Sequence, residues 1–236
     1  MKTYRSTKGP FQERPFFSQS EIEDLCQEEL RKVGLFPGIP EPIRIERFVE
    51  KRFHVTPVYE ELPPGVLGFT RFTTKGVKEI VVSRALSDEG SKTAERRINT
   101  TLAHEAGHGL LHSHLFAVGA QPERLFGTEL DPTAPKILCR DDTADISNRA
   151  SYDGRWWEFQ ANQVIGALLL PRALVEAALD GGVLKATGSF GLRQVMPQDR
   201  GRGVEVLSAT FNVNPAVAKI RLEQLFPERD GAQLSF

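Results

Sequence analysis

The chain has 236 residues, 40% hydrophobic and 26% charged, the balance of an ordinary folded protein with enough apolar material for a sizeable core. Thirty basic and thirty-one acidic residues leave a formal net charge of -1, so composition supplies no overall attraction to nucleic acid or anionic lipid. Two cysteines, Cys26 and Cys139, are too few for a disulfide framework, the N-terminal stretch is charged throughout, and no run of about eighteen apolar residues occurs; together these predict a cytoplasmic chain with no membrane span.

Residues 1–19 are polar, rich in Pro and Phe and without periodicity, and are expected to form a flexible arm. "SEIEDLCQEELRKVGL" predicts an amphipathic helix, with Ser20 as N-cap and Glu23 completing a capping box. With the linker "FPGIPEP" it makes a 20–42 unit. "IRIERFVEKRFHV" then spaces Ile45, Phe48, Val49 and Phe53 as a short helix. "TPVYEEL", "GVLGFTRFTT" and "KEIVVSR" are rich in β-branched and aromatic residues and predict a meander of about three strands. A long helix follows from near Ser91.

Residues 117–157 read as a long irregular connection, of the kind that is usually functional or partly disordered. Helical spacing returns in "WWEFQANQVIGALLL", is stopped by Pro171, and resumes in "RALVEAAL". Residues 181–202 read as a linker to a C-terminal unit, 203–236, in which Val204 to Phe211 and a second helix capped by Asn214, with Pro215 first, resemble a helix-turn-helix. Five basic and five acidic residues between Asp199 and Phe236 give that unit no electrostatic preference for DNA, so packing or protein docking is the expected role. The order of elements predicts an α+β fold whose main domain spans 43–180.

Four of the five histidines fall within "NTTLAHEAGHGLLHSHL". His104 and His108 are one helical turn apart on one face, and Glu105 completes H-E-x-x-H. In that pattern two imidazoles bind zinc while the glutamate acts as general base on metal-activated water. Ile98, Leu102, Ala106 and Leu110 form a separate apolar stripe, and the small Ala106 and Gly107 let another segment come close. His114 stands where a metzincin-type third ligand would, but Leu111 replaces the glycine that such a turn needs; His112 and His114 therefore read as surface residues or as partners of the ligands. The third ligand is sought downstream, in Glu158, with Asn162 one turn on to orient a ligand. Spacing alone does not separate Glu158 from Glu123 or Glu129.

"TTLAHEAGHGLLH" followed by "EFQANQVIGALLLP" resembles the ImmA/IrrE family of metallo-endopeptidases, over about residues 43–178. The resemblance implies a zincin-like core, similar to thermolysin-like gluzincins, in which a small sheet packs on two metal-binding helices. It implies that His104, His108 and Glu158 ligate one Zn2+, with Mn2+ the alternative, and that Glu105 is the base. It further implies a protein substrate, a repressor-type DNA-binding regulator. Gln163, Val164 and Ile165 depart from the family's usual Phe-Ala after the asparagine. Within the 117–157 loop, Cys139 is a candidate fourth ligand and latency switch, and Tyr152 and Arg155 are candidates to stabilise the developing oxyanion. The rival reading is a metal-containing DNA-binding or repressor-docking regulator without proteolysis.

Overall fold

The computed structural model describes residues 2–5, 13–118, 136–140, 156–187 and 192–228, and within them the chain is α+β. Strands β1 (Lys2–Arg5) and β2 (Glu13–Phe16) pair antiparallel with Thr3 opposite Pro15, so the segment read as a flexible arm contains a hairpin ladder. Four-residue strands are too short to show alternation, and a proline is compatible with such an edge position. Helix α1 (Gln19–Lys32) starts earlier than predicted: Ser18 is the N-cap and Glu21 closes the capping box, its carboxylate accepting the Ser18 N–H at 2.8 Å. The sequence offers the S-x-x-E pattern twice, at Ser18 and at Ser20. Glu23, spare in the observed register, pairs with Arg221 instead.

Helix α2 (Ile45–Phe53) buries Ile45, Phe48 and Val49 as predicted and stops at His54, which adopts a left-handed conformation at φ 59°. Strands β3 (Val58–Glu60), β4 (Val66–Thr73), β5 (Gly76–Ser83) and β6 (Lys136–Arg140) form one sheet in the order β3-β5-β4-β6. The predicted meander is thus corrected: β3 joins the far side of β5 in parallel, and only β4 and β5 form a hairpin. The 117–157 connection is also not wholly irregular, since β6 pairs antiparallel with β4. Its five residues lie among prolines and polar residues, and their partner is more than sixty positions away, so no local pattern announces them.

Helices α3 (Arg84–Glu89), α4 (Lys92–Leu111) and α5 (Ser113–Val118) follow β5, and α4 is capped by Ser91, which accepts the Ala94 N–H at 3.0 Å. Beyond the connection lie α6 (Trp156–Leu169), α7 (Arg172–Leu179), a hairpin of β7 (Leu184–Thr187) and β8 (Leu192–Val195), α8 (Arg200–Phe211) and α9 (Pro215–Leu225). The 181–202 linker therefore carries a hairpin and the start of α8.

One hydrophobic cluster runs from Ile22 and Leu30 of α1 through Phe48, Ile80, Leu102, Val164 and Leu168 to Leu207, Phe211 and Leu222 of α8 and α9. The C-terminal helix pair thus shares the main core rather than packing as a separate unit. Helix α4 packs on β4 and β5, α6 on α4, and α1 on α6. Gly107 permits the α4–α6 approach, because a Cβ there would lie 3.0 Å from Val164 Cβ and 3.1 Å from Ala161 Cα. Among the described residues no single helix is long and apolar enough to cross a membrane.

Candidate metal centre

From Thr101 to Gly109 every residue of α4 is buried, so the predicted apolar stripe is widened to the whole circumference of the helix by the sheet on one side and α6 on another. This carries His104, Glu105 and His108 into the interior, where polar groups are costly unless they find partners. Gly68 lets β4 lie close against α4 at this point: a Cβ there would sit 2.6 Å from Thr101 Cγ2 and 2.7 Å from the Val81 carbonyl oxygen.

Helix α6 delivers Glu158 from its first turn to the two histidines. His104 Nε2 and His108 Nε2 are 3.0 Å apart, Glu158 Oε2 is 3.2 Å from the former and Oε1 3.7 Å from the latter. Ligands at zinc-like distances of about 2.0–2.2 Å around a tetrahedral ion lie about 3.4 Å from one another. The observed separations bracket that value, and the donor set is two imidazole nitrogens and a carboxylate, so the group could hold a metal ion. Burial works to raise the Glu158 pKa, but the neighbouring His108 and His104 outweigh it and hold the carboxyl well below its ordinary range. Burial also lowers the pKa of His108, which favours the unprotonated ring that a metal requires.

Glu105 is fully enclosed and its pKa is pushed up to about 8, first by burial and further by the Glu158 charge, against the opposing pull of His104 and Thr70. Thr70 Oγ1 donates to Glu105 Oε2 at 2.7 Å and fixes one carboxylate oxygen. The other, Oε1, is buried with no hydrogen-bond partner. A carboxyl raised to about 8 keeps its proton at neutral pH, and a cation held by the neighbouring donors would lower it again, leaving the orphan Oε1 free to accept a proton.

Both histidines of the group are held from behind. Asn162 Oδ1 lies 3.1 Å from His104 Nδ1, the orienting contact predicted for it. His108 Nδ1 lies 3.1 Å from His112 Nδ1, His112 Nε2 is 3.0 Å from Gln160 Oε1, and Gln160 Nε2 donates to the Pro15 carbonyl at 2.9 Å. Burial drives the His112 pKa down to about 3, leaving a neutral ring.

The structure brings together His104, Glu105, His108 and Glu158. His112, read as a surface residue or a partner of the ligands, is the latter: it is completely buried, where α4 ends and the chain breaks into α5. His114 is exposed on α5 and takes no part in the cluster. Tyr152 and Arg155 lie outside the described residues, as do Glu123 and Glu129. The backbone of Cys139 stands opposite Gly68 in the β4–β6 ladder, while its side chain lies outside what is described. Sequence reasoning missed Thr70, Gln160 and Pro15. Thr70 carried one signal, a polar residue that follows the apolar run from Val66 to Phe69 within its strand; Gln160 and Pro15 carried none.

Compared with known proteins, the chain matches no protein-family model and no curated protein. The chemical reading of the site accordingly rests on its residues and their geometry.

Proposed function

We propose that this chain is a zinc-dependent endopeptidase with a zincin-like core, hydrolysing a peptide bond in a protein partner of the repressor type. The observation that carries this reading is the convergence of His104 Nε2, His108 Nε2 and the Glu158 carboxylate beside a glutamate whose buried Oε1 has no partner. Two imidazoles favour zinc over a hard cation such as Mg2+, with manganese the alternative. Zinc bound there would supply Lewis acidity toward water and a peptide carbonyl. Three protein ligands leave a coordination position for the reaction, the catalytic rather than the structural pattern.

The chain's own residues then divide the work. His104, His108 and Glu158 bind; Asn162 and His112 orient the two rings. Thr70 pins Glu105 Oε2, so that Oε1 is the fixed point at which Glu105 takes a proton from the attacking water and returns it to the leaving amine. The β4 strand, which carries both Thr70 and Gly68, sets the depth of that carboxylate. For the C-terminal helix pair, packing is the supported role: Arg221 is buried against Glu23 and Arg200 is paired with Glu228, so few cations are left for a phosphate backbone.

The test is elemental analysis of wild type and Glu158→Ala purified alike, followed by incubation with a quenched-fluorescent peptide library. About one zinc per chain in wild type, lost or much weakened in the variant, is expected. Cleavage by wild type that stops in a zinc-loaded Glu105→Gln variant supports the peptidase. No metal in wild type overturns the metal centre. Metal without any cleavage, including of co-expressed repressor-type proteins, favours a docking regulator instead.

A further inference from the structure

The N-terminal hairpin reaches the metal centre through three side chains, and the direction of each hydrogen bond follows from one end. The Pro15 carbonyl can only accept, so Gln160 must turn its amide nitrogen toward it, at 2.9 Å. Gln160 therefore presents Oε1, an acceptor, to His112 Nε2 at 3.0 Å, which makes that nitrogen the protonated one. Two N–H groups cannot face each other across the 3.1 Å between His112 Nδ1 and His108 Nδ1, so one of them is bare; with the His112 proton placed on Nε2 the bare atom is His112 Nδ1, and His108 supplies the proton of that contact. His108 is thereby left with its lone pair on Nε2, the atom that faces His104 and Glu158. Every member is enclosed: Gln160 is 4% exposed and His108 and His112 are 0%. Pro15 is buried as well, so water does not compete for its carbonyl.

We infer that His112 and Gln160 are positioning residues which make the β1–β2 hairpin part of the metal centre, the Pro15 carbonyl setting the tautomer in which His108 ligates. The inference rests on the metal-centre reading above. His104 is held differently, by Asn162 from the same helix that carries Glu158, so only one of the two imidazoles depends on the N-terminal strands. A consequence is reciprocity: whatever steadies His108 on a metal also steadies the hairpin, and disturbing the hairpin loosens the metal.

The experiment measures zinc affinity, by competition with a chromophoric chelator, and zinc-induced hydrogen-exchange protection of residues 13–17, in the full chain. Wild type is expected to gain protection in the hairpin on loading with zinc. Gln160→Leu is expected to bind zinc about 10- to 100-fold more weakly and to lose the protection gain. Gln160→Glu keeps an acceptor for His112 but sets an oxygen against the Pro15 carbonyl; it is expected to hold zinc within a few-fold of wild type while the hairpin no longer responds. This second variant decides the matter if Gln160→Leu does not fold. Wild-type affinity in Gln160→Leu, or hairpin protection unchanged in Gln160→Glu, would overturn the inference, whereas a wild type that binds no zinc removes the metal centre itself.

Discussion

Two clusters of buried charge lean on α6 and are satisfied in opposite ways. At one, His104, His108 and Glu158 bring possible ligand atoms within 4.8 Å of one another, and Glu105 Oε1 has no partner. At the other, Arg221, 1% exposed, gives Nε to the Leu170 carbonyl at 2.9 Å and its two terminal nitrogens to the Glu23 carboxylate at 2.5 and 2.7 Å. Gly166 makes space for it, since a Cβ there would meet Arg221 Cδ at 3.1 Å. The Arg221 cluster is closed: donors meet acceptors, and it ties α9 to α1. The histidine cluster is open, with acceptors facing acceptors, which is a stable arrangement only when a cation or a proton stands among them. Burial alone does not mark a functional site; the unmatched sign of the buried groups does.

The largest test of that contrast is Glu105→Gln. It removes the proton acceptor while keeping shape and the Thr70 contact, so peptide hydrolysis should fall by about 10²- to 10⁴-fold. Folding stability should move by less than about 1 kcal/mol, because the affected oxygen has no partner to lose. Parallel turnover and urea-denaturation measurements check both halves; a large stability loss would mean that Oε1 is structurally engaged.

Glu23→Ala should do the reverse. It strands the buried guanidinium of Arg221 and is expected to cost about 3–5 kcal/mol of stability. Zinc bound per folded chain should not change, because neither residue belongs to the His104, His108 and Glu158 group. Chemical denaturation, with metal content measured on the folded fraction, tests the separation, and loss of zinc from folded Glu23→Ala would show that the two clusters are coupled.

Asn162→Ala lies between these extremes. It frees the back of His104 without removing a ligand or a core contact, and should weaken zinc binding by about 10- to 100-fold. Chelator competition reads this directly. An unchanged affinity would mean that helix α4 alone fixes the ring.

What was legible in the sequence follows the same division. His104 and His108 share a helix face by their spacing, Ser91 and Asn214 announce helix starts, and Pro171 ends α6, because each of these is a local fact. Glu158 was reachable only through a resemblance, since choosing it over other glutamates depends on how α6 crosses α4 at Gly107. The β1–β2 and β7–β8 ladders and β6 were illegible because strands of four or five residues carry too little alternation to register. The relay from Pro15 to His108 spans more than ninety positions, and each member taken alone reads as an ordinary helix or loop residue. The α1 cap went to the wrong serine because two equivalent capping patterns overlap, and the pairing of Glu23 with Arg221, at the other end of the chain, accompanies the register seen.

The smallest effect is expected at Glu29 of α1, another buried carboxylate that is closed, but by exposed partners. Its oxygens accept from Lys32 at 2.9 Å and from Arg52, and both cations reach into solvent. Burial works to raise its pKa, yet the hydrogen bonds and charges of Lys32 and Arg52 prevail and bring it below the ordinary 4.5. A carboxyl whose pKa is depressed by folding contributes stability at pH values above 4.5 and loses it as the pH falls through the lowered folded value. Solvent screening of the two cations limits the contribution, so Glu29→Gln should cost about 1 kcal/mol at neutral pH. The difference from wild type should then shrink steadily below pH 4.5, because protonated wild type and the variant become alike. Thermal melts of both proteins across that range read the convergence. Parallel curves at all pH values would show that Glu29 contributes through its packing and not through its charge, and would confine the contrast between closed and open clusters to α6.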